Sequence, residues 1–425
     1  MARWLRGRPR VKGLVPALQI PRLTMPMLRR PHSPIVANHR VLDFDYIPER
    51  LPHRQEQMDQ LAALFEGLFG GPVSQRALLK GSTGTGKTTL AKRFCIDLQA
   101  LAAAEGRTIR WLHINCRRRA TTQGVLQEIV NSTQDQLPVR GFSVSELLDI
   151  LKKDLRKQRA SLVVVLDEVD ALIARSGSEL IYQLSRFDEE EKGLQGSLSL
   201  LLVSQRNVLE LLDAPTLSAF KRGNIVNLDR YTVSQLLDIV TQRAGLALIE
   251  GAAPPEVLAL IAEAAGEYGD ARFAIELLER SAAAATQEGV SAIGPEHVRA
   301  AKAVTKAEGI TNLDELELLS PHQRLVLLGI ARALRTRASL TTGQAEVTYR
   351  TVCEEVQEPP RAHTQFSKYL KELDGLGMIN AQRSSGADGT TTIIRLVDAP
   401  AIELVRALEG LLPRSGGNVD EAVRT

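Results

Sequence analysis

The chain has 425 residues, 44% of them apolar and 4% aromatic, with a formal net charge of +3. That length predicts about two to four domains with sizeable cores, and no apolar run approaches the ~20 residues that span a bilayer, so a membrane protein is not expected. The three cysteines (Cys95, Cys116, Cys353) are scattered without C-x-x-C spacing and the seven histidines form no paired pattern. They read as reduced core thiols of a cytoplasmic protein without a metal centre of that kind.

Residues 1–31 carry eight Arg or Lys and no acid, with prolines at 9, 16, 21, 26 and 31. Pro16 and Pro21 interrupt the only apolar stretch there, which argues against a secretory signal. Residues 1–36 are expected to form a disordered basic arm, either an unstructured leader or a nonspecific clamp on nucleic acid. The rest of the chain has 45 basic against 50 acidic residues, a slight negative balance.

Residues 37–228 alternate strand and helix patterns, which predicts a parallel sheet covered on both sides. Leu78 and Leu79 lie in an apolar run that leads into Gly81-Ser82-Thr83-Gly84-Thr85-Gly86-Lys87-Thr88-Thr89 and then a helix-prone stretch. This is a G-x-x-x-x-G-K-[ST] phosphate loop in its required strand–loop–helix setting. Its N–H groups and the helix N-terminus should cradle the phosphates of ATP or ADP. Lys87 should reach the β- and γ-phosphates, and the Thr88 hydroxyl should ligate Mg²⁺. Residues 110–115 read as the next strand, and residues 146–158 as a helix with Leu147, Leu148, Leu151 and Leu155 on one face. The run Ser161-Leu162-Val163-Val164-Val165-Leu166 predicts a strand buried on both faces. It ends in Asp167-Glu168, where open α/β sheets place their ligands. Asp167 can hold Mg²⁺, and Glu168 can orient or deprotonate an attacking water. Further strands are expected at 198–203 and 224–228.

From 229 to 303 the pattern is all-helical. A polar linker is expected over 304–316, then a small domain over 317–398 and a C-terminal helix and tail over 399–425. The small domain shows three helical patterns followed by strands at 378–381 and 391–396, which suggests a winged helix. The helix over 361–376 puts Phe366, Tyr369, Leu370 and Leu373 on its core face. The same spacing turns Arg361, Thr364, Gln365 and Lys368 outward, with side chains suited to base edges and phosphates of double-stranded DNA.

Residues 35–396 resemble the archaeal replication initiators, AAA+ relatives of the eukaryotic origin-recognition and helicase-loading ATPases. The segments that carry the resemblance are Asp45-Tyr46-Ile47-Pro48, Leu51-Pro52-His53-Arg54, His113-Ile114-Asn115-Cys116-Arg117, Leu166-Asp167-Glu168-Val169-Asp170, Thr241-Gln242-Arg243-Ala244, Gly269-Asp270-Ala271-Arg272 and residues 366–373. The resemblance implies an AAA+ ATPase domain, an all-helical lid and a winged helix that bind origin DNA and recruit or load the replicative helicase, with other initiator subunits as possible partners. It places the protein in the cytoplasm on the nucleoid. It also implies that Tyr46, Ile47 and Pro48 pack around the adenine, and that Arg272 is a lid arginine reaching the γ-phosphate. Residues 116–129 fall where these initiators carry an extra DNA-touching element, which makes Arg117, Arg118 and Arg119 candidates for phosphate contacts.

Two departures bear on turnover. Where the family has Ser-Asn after the fourth strand, this chain has Ser204-Gln205, so Gln205 takes the water-orienting place with a longer amide. Where the family has an arginine finger in Asp-Pro-Arg, the chain reads Asp213-Ala214-Pro215-Thr216, and Lys221 or Arg222 could substitute only with a rearranged loop. The wing between Arg383 and Thr391 lacks Lys and Arg at its tip. The expectation is a weak ATPase and initiator; a DNA-binding regulator with little turnover and a mobile-element ATPase are the alternatives.

Overall fold

The computed structural model describes residues 35–71, 73–133, 141–187, 196–220, 224–306, 316–386, 389–396 and 400–412. The basic arm, Lys221 and Arg222, most of the 304–316 linker and the tail after 412 lie outside them.

Five strands, β1 (Arg76–Gly81), β2 (Ile109–Asn115), β3 (Ser161–Asp167), β4 (Leu198–Ser204) and β5 (Ile225–Leu228), form one sheet in the order β2-β3-β4-β1-β5. All pairings are parallel. The aliphatic runs of β3 and β4 are buried almost throughout, as strands with helices on both faces must be. Two apolar cores flank the sheet. The register sets Asn115 beside Asp167, Asp167 beside Val203, and Lys80 beside Ser204. The strand ends that carry polar residues therefore meet along one edge.

Helix Val144–Gln158 starts two residues earlier than its apolar periodicity predicts, because Ser143 and Glu146 form a reciprocal capping box. Leu147, Leu151 and Leu155 are buried and Leu148 is half-buried. The lid consists of helices Val233–Ala247, Pro255–Gly266, Ala271–Gln287 and Pro295–Lys306. Its core also takes in Ile35, Val41 and Leu42, and Val36 bridges to Leu248. The N-terminal approach to the phosphate loop thus packs on the lid as well as leading into the parallel sheet.

The winged helix has helices Pro321–Leu334, Thr342–Glu355 and His363–Gly375 with β6 (Leu340–Thr341), β7 (Ile379–Gly386) and β8 (Gly389–Leu396) in the antiparallel order β6-β8-β7. Two expectations need correction. The third helix begins at His363, not 361, since Arg361 follows Pro359-Pro360 and gives its backbone N–H to the Tyr349 hydroxyl. The hairpin strands run on to Gly386 and Gly389, because ladder pairing continues through polar residues that carry no apolar signal. Helix Ala401–Leu411 packs into the same core through Leu404 and Leu408.

Lid and winged helix are joined by polar contacts, one of them from a buried arginine. The Arg299 guanidinium, 6% exposed, donates to the carbonyls of Leu334 (2.5 Å), Arg337 (2.9 Å) and Ala338 (3.2 Å). Glu296 accepts the Ile402 N–H at 2.8 Å, and Arg395 pairs with Glu263 at 3.0 Å.

Candidate nucleotide site and DNA-facing elements

The phosphate loop turns through Gly84 (φ 76°) and Gly86 (φ 84°), a left-handed backbone that favours glycine. A Cβ at Gly84 would also lie 1.9 Å from the Asp270 carboxylate, so the lid approaches the loop too closely for any side chain. Thr85 is buried and donates to the Ser82 carbonyl at 2.9 Å. Lys87, which opens helix Lys87–Ala104, donates from Nζ to the same carbonyl at 2.7 Å. Burial lowers the Lys87 pKa, against the pull of Asp167, Asp170 and Glu168.

Asp167 is the hub of the site. It accepts the Thr88 hydroxyl at 2.7 Å and His113 Nε2 at 2.9 Å on Oδ2, and the Glu168 N–H at 2.9 Å on Oδ1. Burial pushes its carboxyl up, but the bonds from His113, Thr88 and Glu168 outweigh that and hold it below the usual aspartate value. Glu168 follows with φ 53°, a left-handed conformation uncommon outside glycine. Its carboxylate accepts Asn115 Nδ2 at 3.2 Å and pairs with Arg117 Nε at 3.3 Å.

A cleft between sheet and lid is lined by Thr83, Gly84, Gly86, Lys87, Thr88, Thr89, Asp167, Glu168, Gln205 and Arg272. Phosphate-loop, β3, β4 and lid candidates are thereby brought to one place. Gly81, Ser82 and the buried Thr85 are not on the lining. Of the three adenine candidates only Pro48 lines the cleft; Tyr46 and Ile47 do not, and Phe44 takes part instead. Tyr46 packs against the lid core instead, its ring 4.8 Å from the guanidinium of the buried Arg243, which also bonds the Val41 carbonyl.

The lid joins the loop directly. Asp270 caps helix Ala271–Gln287 by accepting the N–H groups of Arg272 (2.7 Å) and Phe273 (3.1 Å), and the Ala271 N–H reaches the Gly84 carbonyl at 3.1 Å. Arg272 is exposed, with its guanidinium 5.4 Å from the Phe44 ring.

One contributor is not assigned a role by the sequence. Arg54, 4% exposed, donates to the Thr85 carbonyl (3.1 Å from Nη2) and the Asp229 carbonyl (2.9 Å), and lies 3.9 Å from the Tyr231 ring. Its only signal is its place in Leu51-Pro52-His53-Arg54; the carbonyls it serves are distant in sequence. Thr216 is buried in the short helix Ala214–Ala219, where its N–H bonds the Asp213 carboxylate, so it offers no cation.

The DNA candidates fall on two surfaces. Arg117, Arg118 and Arg119 are exposed on the turn after β2, before helix Thr122–Thr133, which is anchored by Val125, Leu126, Ile129 and Val130. Asn115 Oδ1 accepts the N–H groups of Arg117 and Arg118, and Arg119 pairs with Glu128 at 2.9 Å. On the winged helix Thr364 and Lys368 are exposed, Gln365 is half-buried, and Arg361 is exposed just ahead of the helix. Phe366, Leu370 and Leu373 are buried, and Tyr369 is half-buried.

Among known families, residues 75–212 match an AAA domain, 237–303 the Cdc6 AAA+ ATPase-type lid domain, and 314–403 the CDC6 C-terminal winged helix domain. The chain is 32% identical over 376 residues to ORC1-type DNA replication protein 2 of Saccharolobus solfataricus, covering 86% of this chain and 91% of that one. It is also similar to the crystal structure of Cdc6p from Pyrobaculum aerophilum, at 30% identity and TM-score 0.73, covering 89% and 98% of the two chains. The Aeropyrum pernix ORC1 protein in complex with DNA is similar at 30% identity and TM-score 0.59, covering 89% and 97%. Sequence identity, coverage and the three domain matches in order leave one assignment: the chain belongs to the Cdc6/ORC1-type family of DNA replication proteins.

Proposed function

We propose that the protein is an initiator that binds duplex DNA at replication origins, helps recruit the replicative helicase, and uses ATP as a slow conformational switch. The observation that carries this reading is the seam at Gly84: the lid helix bonds the phosphate loop there, and the same lid is bonded to the winged helix through Arg299. A nucleotide between loop and Arg272 would therefore act on the angle at which the winged helix is presented. Lys87 would meet the β- and γ-phosphates and Arg272 the γ-phosphate, with Phe44 and Pro48 offering the apolar flank of the cleft. The hydroxyl of Thr88 and the carboxylate of Asp167 are hard oxygen donors 2.7 Å apart and suit Mg²⁺, which would neutralise charge on the phosphates.

Hydrolysis would use Glu168 as base and Gln205 to orient water. Glu168 is engaged by Asn115 and Arg117, and Thr216 stands where a finger arginine would be, which supports slow turnover. That same substitution favours a second reading, a family member that regulates from DNA with little ATP turnover. Mapping chromosomal binding sites separates the two. A sharp peak beside the protein's own gene is the outcome expected of an initiator, whereas many promoter peaks would replace that reading with the regulator. Diffuse binding would oppose both.

A further inference from the structure

His322, Tyr349 and Arg361 come from three separate elements and meet at the start of helix His363–Gly375. Tyr349 is fully buried and His322 is 7% exposed, whereas Arg361 is exposed. The His322 ring lies parallel to Tyr369, with centroids 6.2 Å apart and planes within 6°, so its plane is fixed. Arg361 Nε is 2.9 Å from His322 Nε2, and the Tyr349 hydroxyl is 2.8 Å from His322 Nδ1. The same hydroxyl oxygen accepts the Arg361 backbone N–H at 3.1 Å.

The donor inventory leaves one consistent assignment. A guanidinium Nε–H only donates, so His322 Nε2 must accept. A neutral imidazole then carries its proton on Nδ1 and gives it to the Tyr349 oxygen. Arg361 is thus held at both its backbone and its Nε, while its two terminal nitrogens have no hydrogen-bond partner among the described residues. A guanidinium fixed this way presents a planar pair of donors, the geometry that matches guanine O6 and N7 in the major groove.

We propose that His322 is the positioning residue that aims Arg361 at a guanine, making the pair a determinant of sequence preference; this rests on the DNA-binding reading above. The groups facing His322 are the Arg361 guanidinium, the Glu358 carboxylate, and the uncharged hydroxyls of Tyr349 and Tyr369. Burial, reinforced by Arg361 and opposed by Glu358, holds the imidazole below its ordinary value. A histidine depressed in this way is neutral at neutral pH. Its contribution is full above the ordinary value near ~6.5 and declines as pH falls below it. A second proton on Nε2 would remove the acceptor and repel Arg361.

The test uses the full chain, a duplex enriched by the parent protein from a randomised pool, and a shuffled duplex of the same composition. His322→Phe keeps the ring stack but loses both hydrogen bonds, and should cut the ratio of the two affinities by roughly tenfold. His322→Gln retains an uncharged acceptor that does not titrate, so it should keep most of that ratio and hold it level as pH is lowered, whereas the parent's ratio falls once its histidine protonates. An unchanged ratio in a folded His322→Phe protein overturns the inference, as does a glutamine variant that keeps the parent's pH dependence. The glutamine result decides the matter if the phenylalanine variant does not fold. Equal loss on both duplexes also overturns it, because Arg361 would then be a phosphate contact. If the parent enriches no duplex, the DNA-binding reading itself fails and the inference with it.

Discussion

On the proposed reading, Lys87 would serve binding and Glu168 the chemistry of the cleft. Lys87 already donates to the Ser82 carbonyl and needs only to turn outward to meet a phosphate. Lys87→Ala removes that charge and should abolish ATP and ADP binding measured by calorimetry. Glu168→Gln preserves the side-chain shape and should leave ATP binding intact while stopping hydrolysis in single-turnover assays. Parent-like hydrolysis by that variant would mean another group activates the water. The parent itself should turn over slowly and be isolated carrying ADP, since an arginine finger contributes about 10³–10⁵ in related phosphoryl transfers and Thr216 offers none. A steady rate of several per second, well inside the range of about 1–100 s⁻¹ seen for kinases, would show that a cation arrives from elsewhere.

At the scale of elements, the turn after β2 carries three exposed arginines and also reaches Glu168. Asn115 fixes the turn by accepting the Arg117 and Arg118 N–H groups, while its amide and Arg117 both hold Glu168. The winged helix has few outward cations on its third helix, so the proposed DNA binding would need a second contact for a firm grip. Replacing Arg117, Arg118 and Arg119 together by Ala should weaken binding on all sequences alike. It should also flatten the salt dependence by roughly 0.9 log units for each phosphate no longer neutralised. Fluorescence anisotropy over a salt series measures both, and an unchanged slope would remove this turn from the DNA surface. Arg54 acts in another way, as a buried strut from the N-terminal approach to Thr85 and Asp229. Arg54→Ala should leave carbonyls unpaired under the loop and destabilise the fold by about 1–3 kcal/mol in denaturant titration.

For the molecule as a whole, the joint between lid and winged helix is where the proposed nucleotide and DNA sites would be coupled. Arg299 is nearly buried, donates to three carbonyls of the winged helix, and has its pKa lowered by burial against the pull of Glu296. Arg299→Ala strands those acceptors and should cost on the order of 2–4 kcal/mol. Scanning calorimetry should then resolve a separate, earlier transition for the winged helix. A single unshifted transition would show that the joint is held by other contacts.

Much of this protein was legible before any coordinates, and the reason is local. The phosphate loop, the β3 run with its Asp167-Glu168 end and the apolar face of helix His363–Gly375 are each written in a few consecutive residues whose spacing has one physical meaning. The family resemblance added the roles expected of Tyr46, Ile47, Pro48, Arg272 and the arginines after β2. The tertiary structure decided what depends on partners far along the chain. It drew Tyr46 to Arg243 and brought Phe44 to the cleft, set Asp270 against Gly84, and ran Arg54 beneath the loop. It also closed the His322–Tyr349–Arg361 network across three elements. Periodicity reports which face of an element is buried, but not which distant carbonyl or ring a buried polar group will find there.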